Sequence, residues 1–391
     1  MIDFEVALNI VLESAIKLDT EKLSLEQSIN RILAEDIHAD IEMPPFNKSA
    51  MDGFACKRED TDNLLEIIET IPAGYTPQKS IGKNQCSRIM TGGMVPEGAD
   101  CVIRVEDIEL VRENYVRILA TMQNNNIAYK GEDVKLNQKV LSKGIQIKPQ
   151  TIAVMASVGY VNPLVYKKPV VGVISTGSEL VEPNELPGSS QIRNSNSYQL
   201  VAQINHMNCI PKYYGIAIDT EEDTTLKITK ALKECDVVLL SGGVSMGDFD
   251  FVPKVFTKLG IEIKFEQLAV QPGKPTTFGL YNNKRIFGLP GNPVSSYVQY
   301  ELMVKPLLYK MMGHEYKQEN IFLPMGKEFK RRNTSRRSWI PVNIDEDGKV
   351  IPVNYHGSAH IHSLAFADGL INIAIGKEAF EKGEIVDVRL I

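Results

Sequence analysis

Pro169-Val170-Val171-Gly172-Val173-Ile174-Ser175-Thr176-Gly177-Ser178-Glu179-Leu180 is the stretch on which the fold reading turns. Residues 170–174 form a nearly continuous apolar run, the mark of a strand buried on both faces of a sheet. The run empties into a small-residue turn, and a loop later comes a helix carrying Leu200, Val201 and Ile204. The same alternation then repeats. A strand at 213–218 precedes a helix that starts near Thr220 and bears Leu226, Ile228 and Leu232. A strand at 237–240 runs into Ser241-Gly242-Gly243-Val244-Ser245, followed by a helix over 249–259 and a strand near 261–270. A hairpin turning at Asn282-Asn283 supplies a last strand, 285–289, which feeds Pro290-Gly291-Asn292-Pro293 and a helix to about Leu302. Strands alternating with helices imply right-handed βαβ crossovers and a parallel sheet covered on both faces.

Working outward toward the N-terminus, Phe4, Ala7, Leu8, Val11, Leu12, Ala15 and Ile16 repeat at helical spacing behind Asp3. Ser24-Leu25-Glu26-Gln27 reads as a capping box for a second helix carrying Ile29 and Leu33. Met43-Pro44-Pro45-Phe46 ends helical patterning, and short β-segments follow at 65–68, 87–90, 101–105 and 115–119. Residues 150–166 read as helical again and are expected to pack back on the first two helices. Beyond residue 320 the pattern returns to short β-segments. The expected architecture is multi-domain α/β plus β. A helical linking domain (1–42 plus 141–168) is interrupted by an inserted mostly-β domain (43–140). A three-layer α/β parallel-sheet domain follows (169–315), then a small β-barrel-like C-terminal domain (316–391).

Composition restricts the function. The chain has 391 residues, 43 Lys and Arg against 49 Asp and Glu, and a net charge of −6. That is no generally basic chain, so nucleic acid is not an expected partner and any anion site must be built locally. Five scattered cysteines, none in a C-x-x-C spacing, argue against a disulfide framework or a structural zinc and fit the cytoplasm. No apolar run suits a membrane helix, and Asp3 and Glu5 stand where a signal peptide carries positive charge.

Three strand ends of the α/β unit lead into small-residue turns, Thr176-Gly177, Gly242-Gly243-Val244-Ser245 and Gly291-Asn292-Pro293. In a parallel sheet such turns share the C-terminal edge, where ligands bind. Asn292 and Pro293 suit N-cap and first-turn positions, and a helix start favours phosphate. Glu179, Asp219, Asp248 and Asp250 flank the same turns. Carboxylates beside a phosphate cradle call for a hard cation between them, and Mg²⁺ is the expected choice; N-capping is the plain alternative for each. Gln271-Pro272-Gly273-Lys274-Pro275 presents one cation on a rigid segment. Lys327, Lys330, Arg331, Arg332, Arg336 and Arg337 form a basic run, a candidate anion clamp if not a solvated face. Phe46-Asn47-Lys48-Ser49-Ala50-Met51-Asp52-Gly53-Phe54-Ala55 follows neither period and carries one carboxylate; Gly131-Glu132-Asp133 offers a second. No Ser-His-Asp or Cys-His nucleophile arrangement is visible.

These motifs, in order along nearly the whole chain, make it resemble the molybdopterin molybdenumtransferase family, the MoeA proteins and their relatives, the E domains of gephyrin and plant Cnx proteins. The resemblance rests on Pro45-Phe46 and the segment 49–55, Ile89-Met90-Thr91-Gly92, Pro96-Glu97-Gly98-Ala99-Asp100 and Gly131-Glu132-Asp133. It continues through the segment 175–180, the segment 241–247, Pro272-Gly273-Lys274-Pro275 and Gly288-Leu289-Pro290-Gly291-Asn292-Pro293. It implies an elongated homodimer that inserts molybdate into the dithiolene of adenylylated molybdopterin (adenylyl-molybdopterin), releasing AMP, with Mg²⁺ on Glu179 and Asp250.

The resemblance also assigns residues. Asp52, Thr91 and Asp133 would face Glu179, Asp219 and Asp250 of the partner subunit's α/β domain. Thr176, Gly177, Gly242, Gly243, Ser245, Pro290, Gly291 and Asn292 would bind the substrate; Lys274, Arg337 and Ser358 would contact molybdate. Protein partners would be the pterin adenylyltransferase and molybdoenzyme maturation proteins. Two lysines of some relatives appear here as Gln267 and Gln271, and an arginine as Ala128. Molybdate and a pyrophosphate, two dianions about 5 Å apart, repel by roughly 13 kcal/mol at an effective dielectric of about 20, so cations and aimed N–H groups are required. Two rival readings are a scaffold that keeps the fold without turnover and a pterin adenylyltransferase, which would account only for residues 169–313.

Overall fold

Asp3 accepts the Glu5 amide at 2.9 Å and so caps helix α1 (Phe4–Glu13). The expected second helix is absent: Glu26–Ser28 makes one 3₁₀ turn, and Asn30 at φ 61° ends it. The Ser24 capping box therefore has no helix to cap. Helix α2 (Pro149–Ser157) is shorter than expected, because Gly159 at φ 71° stops it and Leu164–Tyr166 pairs as a strand with Thr20–Lys22. Its Met155 joins Leu33, Ile37, Ile147 and Val165 in one core. It does not pack on α1, whose Phe4, Ala7 and Val11 instead enter the core of the α/β unit. The computed structural model describes residues 1–119, 124–244, 252–354 and 357–391.

Between these elements, six strands form one mixed sheet in the order Cys101–Arg104, Gly53–Cys56, Gln85–Ile89, Leu65–Ile71, Tyr115–Ile118, Ile108–Arg112. Gly53–Cys56 is central and buried along its whole length, which fixes the start of that strand and hence Asp52 just before it.

In the α/β unit, Ile210–Ala217, Val170–Thr176, Val237–Ser241 and Lys284–Leu289 lie parallel in that order. The sheet is not parallel throughout. Thr277–Tyr281 runs against Lys284–Leu289, because the two-residue Asn282-Asn283 turn, with Asn282 at φ 49°, can only reverse the chain, and Glu262–Phe265 pairs antiparallel on its far side. The predicted 261–270 strand also divides: Val270–Gln271 leaves this sheet and pairs with Arg337–Ile344. Alternate strand residues point to opposite faces. Val171, Val173, Val237 and Leu239 face α3 (Asn196–His206) and α6 (Pro293–Gln299), while Ile174, Val238 and Leu240 face α4 (Glu221–Glu234) and α5 (Val252–Lys258). The result is three layers. One π-helical turn, Tyr300–Val304, joins α6 to α7 (Lys305–Met311).

The C-terminal unit orders Arg337–Ile344, Gly369–Ile373, Ile385–Leu390 and Asn320–Pro324 in one antiparallel sheet, with Val350–Pro352 on the outer side of Arg337–Ile344. A bridge between Met325 and Val350 returns the last strand to the first, giving a small barrel around Ile340, Val342, Ile371 and Val388.

Candidate active site

Ser175, Ser241 and Leu289 are register partners across three parallel strands, so the turns that follow them stand side by side at one edge. They line a cleft of about 850 Å³ together with Glu179, Asp219, Asn292 and Pro293. The turns touch. A side chain at Gly242 would put its Cβ 2.6 Å from the Thr176 carbonyl oxygen, and one at Gly243 2.7 Å from Thr176 Oγ1. Both residues also adopt positive φ, 97° and 65°, which glycine takes without cost. Thr176 Oγ1 is buried and has no hydrogen-bond partner among the described residues. A hydroxyl left so on a cleft wall is the kind of group that a bound ligand satisfies.

A polar floor holds the turns. Asn196 Nδ2 donates to Ser241 Oγ and to the Gly291 carbonyl, both at 2.8 Å. Ser175 Oγ donates to Asn194 Oδ1 at 2.8 Å, and Asn194 Nδ2 donates to the Tyr213 hydroxyl, which donates to Glu182 at 2.6 Å. Burial, then the hydrogen bond to Glu182, raises the Tyr213 hydroxyl above the ordinary phenol range. Asn194 and Asn196, unassigned from the sequence alone, signal themselves only as the polar run Asn194-Ser195-Asn196-Ser197 opening α3.

Asn292 occupies the N-cap position of α6 but does not cap with its side chain. Its Nδ2 donates to Ser358 Oγ at 2.8 Å, and the Ser358 carbonyl accepts the Val294 amide at 3.0 Å. Ser358 thus does the capping and brings Ala359, Ile361 and His362 onto the cleft wall. Asp219 Oδ2 accepts the Ser178 amide at 2.8 Å while its own amide donates to Ser178 Oγ at 3.1 Å, which joins two strand ends. Glu179 folds back over Gly177, whose missing Cβ would lie 2.5 Å from Glu179 Oε2.

Lys274 is exposed next to Pro275, which lines the cleft, as does Pro290. Arg337 is not on the cleft wall. Its guanidinium meets Glu5 at 2.5 Å and lies 5.4 Å from the centre of the Phe4 ring. The basic run does not converge as a clamp either. Arg331 is spent on backbone carbonyls of Lys377, Arg336 and Ala374, Lys330 pairs with Glu328, and Arg336 points to the Val270 carbonyl. Ser245, Asp248 and Asp250 lie outside the described residues. Among the described residues no group of three or more His, Cys, Asp or Glu side chains is placed to hold a metal.

A second cluster sits on the mostly-β unit. Asp52 Oδ1 accepts both the Thr91 amide, at 2.6 Å, and the Thr91 hydroxyl, at 2.7 Å. The amide first, then the hydroxyl, hold the Asp52 carboxyl below its usual range. The turn bearing Asp133 is stitched to the same segment, Asp133 N to the Met43 carbonyl and Gly131 N to that of Pro44. Ala128 pairs with Lys48 across two short antiparallel strands. Among the described residues no hydrogen bond, ion pair or shared cleft joins Asp52, Thr91 or Asp133 to Glu179 or Asp219.

Comparison with known proteins gives one answer along the chain. Residues 2–159 match the MoeA N-terminal region (domains I and II), residues 172–310 a probable molybdopterin binding domain, and residues 324–391 the MoeA C-terminal region (domain IV). A Bacillus subtilis molybdopterin molybdenumtransferase is 35% identical over 95% of this chain and 90% of its own. A Staphylococcus epidermidis one is 35% identical over 100% and 95%. A crystal structure of a molybdopterin biosynthesis MoeA protein from Pyrococcus horikoshii superimposes with a TM-score of 0.87 at 30% identity, covering all of both chains. The chain belongs to the molybdopterin molybdenumtransferase family, the MoeA enzymes of molybdenum cofactor biosynthesis.

Proposed function

We propose that the protein inserts molybdenum into adenylylated molybdopterin, taking molybdate and releasing AMP, with the strand-end cleft as the nucleotide-side binding site. The observation that carries this reading is the cradle itself: three apposed turns, a buried unpartnered Thr176 hydroxyl and two carboxylates, Glu179 and Asp219, in one cleft. The turns receive the phosphates, Ser358 and Asn292 close one side, and Lys274 supplies a cation at the mouth. No protein nucleophile is needed if catalysis is positioning plus electrostatic stabilisation.

Mg²⁺ suits the all-oxygen donors on this wall, with Glu179 as one ligand and Asp250 as the second expected from the sequence. When bound it would neutralise phosphate charge; Asp219, already engaged by Ser178, holds the turn that presents Glu179.

The separation of the Asp52 cluster from the cleft within one chain supports a homodimer in which each site combines the Asp52–Thr91–Asp133 cluster of one subunit with the cleft of the other. Arg337 would reach an oxyanion only on leaving Glu5. The protein's place would be the cytoplasm, where the pterin adenylyltransferase supplies its substrate and molybdoenzyme maturation proteins take its product; no helix among the described residues is long and apolar enough to cross a membrane.

Purified protein with adenylylated molybdopterin, Mg²⁺ and molybdate is expected to release AMP only when molybdate is present. AMP release that ignores molybdate, or none at all, would refute the assignment. Adenylylation of free molybdopterin from ATP would point to the adenylyltransferase instead.

A further inference from the structure

A second cleft, also about 850 Å³, lies where the linking segment, the end of α7 and the C-terminal strand meet, lined by residues from Lys17 to Leu390 and by none from the strand-end turns. Its charge sets it apart. Five lysines line it against two glutamates, Glu315 and Glu319, in a chain whose overall balance is −6. Lys305 is held by Glu301 at 2.7 Å. Lys17, Lys143, Lys148 and Lys317 have no carboxylate within 4.0 Å among the described residues, whereas about half of the lysines elsewhere do find one. Four ammonium groups without a carboxylate partner among the described residues, carried by three separate segments on one cleft wall, repel one another, and a multiply charged anion relieves that repulsion.

Hydrogen bonds tie the walls to one another. Leu18 N donates to the Met311 carbonyl at 2.9 Å, which ties the Lys17 segment to α7. His314 Nδ1 lies 2.7 Å from the Gly144 carbonyl oxygen, which ties the Lys317 segment to the loop bearing Lys143 and Lys148. Tyr309 and Tyr316 stack at 5.0 Å with their planes 4° apart, and both line the cleft with Tyr166. Lysines, ring faces and this volume together match a phosphate-bearing small molecule rather than a protein segment.

We infer that this cleft is a second ligand site, separate from the strand-end cleft, which takes a small polyanion carrying two or more phosphate groups, with the tyrosines offering a surface for an attached planar ring. Inorganic tripolyphosphate and ATP are the probes that separate phosphate recognition from ring recognition.

The test is lysine acetylation read by peptide mass spectrometry on the full chain, with and without each probe at millimolar concentration and low salt. Lys17, Lys143, Lys148 and Lys317 are expected to be protected together, while exposed Lys83 and Lys382 are not. Because the strand-end cleft lacks these lysines, a nucleotide bound only there leaves them unprotected, and that result overturns the inference. A Lys143→Glu/Lys317→Glu variant, altered at two exposed positions, should bind tripolyphosphate about tenfold more weakly or worse by calorimetry while keeping molybdate-dependent AMP release. Equal binding by variant and native protein would overturn the inference as well. Protection by ATP but not by tripolyphosphate would show that the ring and not the phosphates is read, and would refute the polyanion assignment.

Discussion

Thr91 holds Asp52 with two hydrogen bonds to a single carboxylate oxygen, 2.6 Å from its amide and 2.7 Å from its hydroxyl. Both residues stand at strand ends, Asp52 before Gly53–Cys56 and Thr91 after Gln85–Ile89, and these strands are register partners. The sheet therefore aims the carboxylate, and the threonine locks it. Thr91→Val keeps the amide bond and loses the hydroxyl. The Asp52 carboxyl should then titrate at higher pH, visible by carbon NMR, and the acid limb of the rate profile should move up with it. A lowered folded-state pKa stabilises the protein above the unfolded carboxylate range, and that contribution disappears as the pH falls through the lowered value. kcat/KM should drop on the order of tenfold, with the melting temperature at neutral pH falling only slightly because the pair is exposed. An unmoved acid limb would show that the hydroxyl bond has no electrostatic weight.

The proposed cross-subunit site predicts a complementation result. Asp52→Ala and Glu179→Ala should each abolish activity as homodimers. In verified mixed dimers one of the two sites is intact, so activity should return to about half or less of the native value. No recovery at all would place both residues in the same subunit's site.

Thr176 separates stability from binding. Its Oγ1 is buried and without a partner among the described residues, so Thr176→Val removes an unsatisfied group of similar shape and should leave the melting temperature equal or higher. The same change should weaken binding of the adenylylated pterin about threefold to tenfold. Unchanged affinity would mean that the hydroxyl does not meet the ligand.

Gly243→Ala meets Thr176 Oγ1 at 2.7 Å and must also sit at φ 65°. A loss of about 1–3 kcal/mol in denaturant unfolding is expected, together with loss of nucleotide binding. A neutral result would show that the two turns have room to separate.

Glu5 holds Arg337 in an ion pair 2.5 Å long, with Glu5 half-exposed. If Arg337 serves the oxyanion when it leaves α1, Glu5→Gln should lower the molybdate KM by roughly twofold to fivefold, within the range of a partly exposed ion pair. A raised KM or none of this change would make Arg337 a tether of α1 only.

Some of this was legible before folding. The apolar run at 170–174 and the Gly-rich turns after each strand are local signals, since a strand buried on both faces must be apolar and a tight turn must admit positive φ. The hairpin at Asn282-Asn283 was legible too, although its consequence, one strand running against the others in the sheet, follows only from the pairing. The second N-terminal helix failed because its capping box was satisfied on paper while Asn30 turned the backbone left-handed. Asn194 and Asn196 went unassigned because their importance lies in bonds to residues 19 and 45 positions away.

Chain order and residue type alone determined the layered α/β unit, the flanking β units and the three turns that make the cradle, because periodicity and glycine spacing report local backbone preference. Tertiary structure decided who meets whom. It set Ser358 over α6, tied Arg337 to Glu5, joined Asp52 to Thr91 and left four of the five lysines of the second cleft without a carboxylate partner among the described residues. Those outcomes depend on contacts between distant segments, whose geometry and charge balance exist only once the sheets have packed.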